Sequence, residues 1–185
     1  MKLPGPIGEV TLREDIYQPL VEILAESNHA PKSVKQIAEH PLWKQRALPN
    51  LVQSLVVLSG AGYVSPAQDP EAAKVAQSKT SKLNAYLCKR ARDGGEIAFL
   101  ASPVIGGGIQ VNRFPQLFLL ARHGAKSQPA EWAKTAWDMI SKQGQRLVKD
   151  GKTIESAAEN LDELTAQAKV FAERQLPILK ALGIE

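Results

Sequence analysis

At 185 residues, 44% of them hydrophobic, the chain is long enough to fill one core or two small ones. Its net charge of +4 permits an anionic partner without demanding one. No apolar run nears the roughly 20 residues of a membrane helix, residues 1–6 lack the apolar segment of a signal peptide, and Cys88 stands alone, so no internal disulfide forms and a reducing cytoplasm is expected.

Residues 8–12 read as a short strand with Val10 and Leu12 on one face. Thr11 and Glu14 have capping spacing, but Pro19 belongs in a first helical turn and breaks an interior, so the first helix is predicted to start near Gln18 and end near Ser27. Ser33 and Gln36 form a capping box for a second helix reaching Glu39. Pro49 opens a third, with Leu51, Leu55 and Leu58 at helical spacing, and Gly60 and Gly62 close it. Tyr63-Val64-Ser65 then reads as a strand, which completes the outline of a winged helix.

Residues 68–73 are polar and read as a linker, followed by a helix over 78–92 that stops at Gly94-Gly95. Residues 97–101 and 109–111 are strand-like and flank Gly106-Gly107-Gly108. A short helix follows over 114–121, and Pro129 starts another with Trp132, Ala133, Ala136, Trp137 and Ile140 on one face. Asp150-Gly151 is a strong hairpin turn between strands in 145–154. Ser156 and Glu159 cap a long final helix with Leu161, Leu164, Ala168 and Phe171 along its apolar side, and Pro177 is predicted to kink it.

The motifs of catalysis are absent. Gly106-Gly107-Gly108 follows a strand but leads into another strand, not the helix N-terminus a dinucleotide-type cofactor turn requires, so these glycines read as a hairpin or loop. No phosphate loop and no nucleophile elbow occurs. His29, His40 and His123 lack metal-ligand spacing and read as surface or loop residues. Cys88 lies beside Lys89 and Arg90, which could lower its pKa, but a half-buried structural thiol is the better reading.

A winged helix raises the question of DNA. Its groove-entering helix, 49–60, carries neither Lys nor Arg and has nothing to offer phosphates, although Lys44 and Arg46 precede it. Cations gather instead at Lys74, Lys79, Lys82, Lys89, Arg90 and Arg92, with no carboxylate until Asp93. That run is either a solvated helix face or a docking surface for an acidic partner. Glu155, Glu159, Asp162 and Glu163 make the final helix a natural complement, within or between chains. Trp132, near its helix start, is a candidate exposed contact, and Trp137 a core residue.

Several stretches resemble, in order, the C-terminal region of bacterial class I SAM-dependent methyltransferases that carry a methyltransferase regulatory domain. They include residues 8–12 with Asp15 and Pro19-Leu20-Val21, Gly60-Ala61-Gly62-Tyr63-Val64, 99–108 with Asn112-Arg113-Phe114, 143–152, and 176–183. Some members of that family are protein lysine methyltransferases acting on outer-membrane proteins. The resemblance implies an N-terminal domain that binds S-adenosylmethionine, a regulatory or dimerisation domain, and C-terminal domains that help frame the substrate cavity. Neither of the first two parts has a counterpart here, so the chain reads as a fragment or remnant, and no catalytic, cofactor or metal residue is assigned to it.

The expected fold is α+β and mainly α: a winged-helix half over 1–70 packed on a helix-rich half over 71–185 with short hairpins. The expected function is a non-catalytic substrate-binding, regulatory or dimerisation region of a SAM-dependent protein methyltransferase. Lys82, Lys89, Arg90, Arg92 and Trp132 are the candidate partner contacts. The partners are then a methyltransferase catalytic domain, a protein substrate, or a second copy in a homodimer. No membrane is expected, and no cofactor in this chain. The alternative is a winged-helix transcriptional regulator.

Overall fold

A computed structural model describes residues 2–5 and 8–185. The chain is α+β and mainly helical, and it divides into two compact units between Gln68 and Asp69. That boundary falls two residues before the expected one because Asp69 already belongs to the next helix: its carboxylate accepts from the backbone N–H groups of Glu71 and Ala72.

The first unit holds an antiparallel hairpin, β1 (Lys2–Gly5) and β2 (Gly8–Thr11), and the helices α1 (Glu14–His29), α2 (Val34–Glu39) and α3 (Leu48–Gly60). Of the strand pair Val10 and Leu12, the Val10 side chain lies outside the described residues and Leu12 is buried. α1 starts earlier than predicted and takes Pro19 into its interior, after a start at Arg13 with Glu14 and Asp15 in the first turn. Regular helix ends before Glu26, and Ser27 and Asn28 turn left-handed at φ 55° and 54°. α2 is capped as expected, with the Ser33 hydroxyl accepting from Gln36 N–H and the Gln36 side chain accepting from Ser33 N–H. Leu20, Ile23, Ile37, Leu51 and Leu58 close the core around Trp43, whose ring lies 5.1 Å under the Arg46 guanidinium. The strand expected at Tyr63-Val64-Ser65 does not form. Tyr63 and Val64 donate their N–H groups to the Leu58 carbonyl, which finishes α3 instead of pairing with a sheet, and β2 takes β1 as its partner.

The second unit runs α4 (Pro70–Arg90), β3 (Phe99–Ser102), β4 (Gly107–Gln110), α5 (Arg113–His123), α6 (Pro129–Ser141), β5 (Val148–Lys149), β6 (Lys152–Thr153), α7 (Ala157–Val170), a π-helical turn (Phe171–Gln175) and α8 (Leu176–Ala181). α4 therefore absorbs the expected linker. Asp69-Pro70 is a helix-start signal of cap and first-turn proline that polar composition concealed. The glycines at 106–108 turn and begin β4, with Gly106 at φ 66°. The hairpin at Asp150-Gly151 has both turn residues left-handed, at φ 51° and 76°, as a two-residue turn demands. Pro177 falls in the first turn of α8, and it is the π-helical residues before it that interrupt the regular helix.

The core of this unit sits where α5, α6 and α7 meet. Phe171 lies 5.6 Å from Phe118 and 6.2 Å, edge-on, from Trp132. Trp132 is thus interior, 2% exposed, with its indole N–H donating to the Lys126 carbonyl, and it is withdrawn as a docking contact. Trp137 is only half-buried at the edge of the cluster. Five positions apart, the two rings stand about 140° apart around the helix, and α7 covers the side that carries Trp132. Trp132→Ala is expected to cost on the order of 3–5 kcal/mol and Trp137→Ala less than half as much. Denaturant melts of the two variants measure the difference.

Candidate docking surface

Two sides of α4 have different fates. Inward, Asn84, Cys88 and then Ala91 are buried. The Asn84 carboxamide donates to the Ala101 carbonyl at 2.8 Å and accepts from the Ala101 N–H at 2.7 Å, which seats β3 on the helix. Gln77 Nε2 donates to the Gly183 carbonyl at 2.8 Å. Gly183 has φ 67°, and a Cβ there would stand 2.7 Å from Pro103 and 2.8 Å from Gln77, so only glycine lets the C-terminal turn approach. At the far end the Arg113 guanidinium gathers the carbonyls of Ala91 and Arg92 and the side chains of Gln143 and Gln145.

Outward, Lys79, Lys82, Lys89 and Arg90 are exposed together with Val75, Leu83 and Tyr86. Tyr86 is 59% exposed and Val75 75%, far more than a residue needed by the core. Arg90 has an ion pair with Asp93 at 3.9 Å, while among the described residues Lys79, Lys82 and Lys89 have none. Arg92 is exposed just past the helix end, so four of the five expected contacts lie on or beside one surface. Arg92 also borders an open, shallow depression of about 320 Å³ with Asp93, Thr135, Asp138, Met139, Lys142 and Gln143. Its mixed charges and wide mouth give a small molecule no enclosure.

Cys88 is fully buried, where desolvation and then the Glu185 carboxylate push its thiol up to about 12. Lys89 and Arg90 turn outward and do not activate it. The thiol is inert rather than half-buried. Among the described residues no group of three or more His, Cys, Asp or Glu is placed to hold a metal. His29 is exposed, and His40 is half-buried with Nε2 3.3 Å from Glu26. The carboxylates of α7 do not reach α4. Glu155 pairs with Arg146, and Glu163 pairs with Lys149 at 2.7 Å. Glu159 and Asp162 remain exposed.

Sequence reasoning missed two features of this unit. One is the buried carboxamides. The other is the pairing of Glu185 with Arg122 at 2.8 Å and with His123 at 3.1 Å, which residues more than sixty positions apart give no local signal to reveal.

No family model matches the chain, and no solved structure does. It is 36% identical over 184 residues to the uncharacterized protein sll1526 of Synechocystis sp., an alignment that takes in all of this chain and 35% of that protein. The chain therefore spans about a third of the length of this curated relative.

The C-terminal pair has a pH signature. The hydrogen bond to Glu185 holds His123 above its ordinary 6.5, against the cost of burial. Burial pushes Glu185 up, but hydrogen bonds from His123 and Arg122 outweigh it and leave the carboxyl below its ordinary 4.5. The histidine's contribution to stability is complete below 6.5 and is lost as pH rises through its folded value. The carboxylate's contribution is present above 4.5 and is lost as pH falls through its own folded value. Both act together between those limits. Between about pH 6 and pH 8 the wild-type chain is expected to lose more thermal stability than His123→Ala, as melts across that range would read.

Proposed function

We propose that this chain is a non-catalytic accessory region of a longer SAM-dependent protein methyltransferase, where it binds substrate protein, regulates, or holds subunits together. The observation that supports the chain being one region of a longer protein is the alignment: every part of it has a counterpart in about a third of a protein that continues for nearly twice as much chain again. A catalytic domain fits in that remainder. The ordered resemblance of residues 8–12, 60–64, 99–108, 143–152 and 176–183 to methyltransferase C-terminal regions supports the same reading. The exposed cations and apolar side chains of α4 supply a surface through which such a region would act, on a catalytic domain or on a protein substrate. Cys88, single and buried, fits a reducing cytoplasm. None of the described helices is long and apolar enough to cross a membrane.

The alternative, a transcriptional regulator, has less support. The exposed side of α3 carries Leu48, Val52 and Val56, which a phosphate backbone has no use for.

Titration calorimetry separates these readings. The isolated chain is expected to give no saturable heat with S-adenosylmethionine at about millimolar ligand, whereas the complete Synechocystis relative is expected to bind it in the usual enzymatic micromolar range of about 1–1000 μM. Micromolar binding by the isolated chain would remove the non-catalytic assignment, and no binding by the complete relative would remove the methyltransferase. Mixed-sequence duplex DNA is expected to bind weakly, with affinity falling steeply as salt rises. A sequence-specific nanomolar complex near 150 mM salt would favour the regulator.

A further inference from the structure

We propose that the outward face of α4 docks on the outward face of α7 in a second copy of this chain. This rests on taking α4 as a docking surface, and it names what covers it.

Val75, Lys79, Lys82, Tyr86 and Lys89 recur at alternating spacings of four and three residues and are all exposed, so they form one straight seam along α4. Between Glu71 and Asp93 the chain has no carboxylate to neutralise it. A complementary seam exists on the same molecule. Glu159, Asp162, Ala166, Val170 and Glu173 are exposed along α7 and the π-helical turn.

Laid antiparallel, the two seams match in step. The spacing from Lys79 to Tyr86 to Arg90 is seven and then four residues, and so is the spacing from Glu173 to Ala166 to Asp162. Lys79 then faces Glu173, Arg90 faces Asp162, and the Tyr86 ring lies on the small Ala166. In this register Leu83 stands opposite Lys169, next to Val170, and Asp93 stands opposite Glu159 with Arg92 beside it. A parallel arrangement with Tyr86 on Ala166 would pair Lys79 with Glu159 and Lys82 with Asp162 but set Lys89 on Lys169, a repulsion that the antiparallel one avoids; Asp93 meets a carboxylate in either, Glu173 or Glu159. Because each copy owns both seams, a pair exchanging them makes the contact twice.

Other occupants fit less well. A membrane-surface helix separates its cations from its apolar side, but here Lys79 and Lys82 lie within the seam, between Val75 and Tyr86, so immersion would bury them. A phosphate backbone would take the lysines but leave Val75, Leu83 and Tyr86 against water.

Sedimentation velocity tests this on the whole chain, with two charge-reversed variants, Lys89→Glu/Arg90→Glu and Glu159→Lys/Asp162→Lys. All four positions are exposed, and unchanged thermal melts verify folding. The wild-type chain is expected to self-associate at up to about 200 μM in about 50 mM salt, and less so in about 500 mM. Each variant alone is expected to associate at least about tenfold more weakly, and an equimolar mixture of the two to recover association, because the reversed seams attract each other. A wild-type chain that is monomeric throughout, variants that associate as well as the wild type, or a mixture that stays monomeric would each overturn the proposal. So would a monomer whose α4 variant loses binding to phosphatidylserine vesicles or to duplex DNA, which would assign the face to that partner. S-adenosylmethionine plays no part in the measurement, so a monomeric result leaves the methyltransferase reading standing, and the calorimetric failure of that reading leaves this one standing.

Discussion

A two-stranded hairpin is marginal in water, yet the C-terminal unit builds on two of them. Buried carboxamides stand in for the missing third strand. Asn84 takes both the N–H and the C=O of Ala101, the groups that face away from β4. Gln116 donates to the carbonyls of Ile97 and Val111, one on each side of the β3–β4 hairpin, both at 2.7 Å. Asn160 accepts from Leu147 N–H at 2.8 Å and donates to the Ile154 carbonyl at 2.7 Å, so it grips both ends of the β5–β6 hairpin. All three side chains are at most 2% exposed, and an amide left there without its partners would cost on the order of 1–3 kcal/mol each. The helices and hairpins are therefore mutually conditional: Asn84 of α4, the amide N–H groups of Gln116 in α5 and Asn160 of α7 each find their partners on a hairpin, and each hairpin needs a helix to complete its backbone bonding.

This constraint explains how the surface arises. The inner side of α4 is committed to β3 through Asn84, to the core through Cys88, and to the C-terminal turn through Gln77. Arg113 fixes the far end by holding the last carbonyls. A helix anchored at both ends and along one side presents the other side without further ordering, which lowers the entropic cost of any contact made there. The tyrosine and lysines on that side contribute nothing visible to the unit that carries them.

Much of this was legible in the sequence, and the limits follow from range. Caps and turns are local chemistry, so Ser33, Ser156, Asp150 and Gly151 announced their elements correctly. Apolar spacing placed α3, α5 and α6 for the same reason. Pro19 misled because tertiary packing of Leu20 and Ile23 outweighs one missing helical hydrogen bond. Tyr63-Val64-Ser65 misled because Tyr63 and Val64 give their backbone N–H groups to the Leu58 carbonyl at the end of α3, a helix-end bond that strand propensity does not outweigh. Trp132 and Trp137 were exchanged because both lie on a broad apolar arc, and only the position of Phe171, far along the chain, decides which ring goes inside. Of the surface, Lys82, Lys89, Arg90 and Arg92 were legible as a run of charge. Their exposed companions Val75 and Tyr86 were not, because exposure of an apolar residue is a property of the packed unit.

The clamp of hairpins by buried amides is the claim on which the rest stands, and native-state hydrogen exchange addresses it directly. The amide hydrogens of Ala101 and Leu147 are bonded to side chains rather than to a neighbouring strand. If Asn84 and Asn160 hold the unit together, both hydrogens exchange only through global unfolding, about as slowly as those of Leu117 and Leu164 in the core helices. Exchange as fast as that of the exposed turn at Asp150-Gly151 would contradict the account.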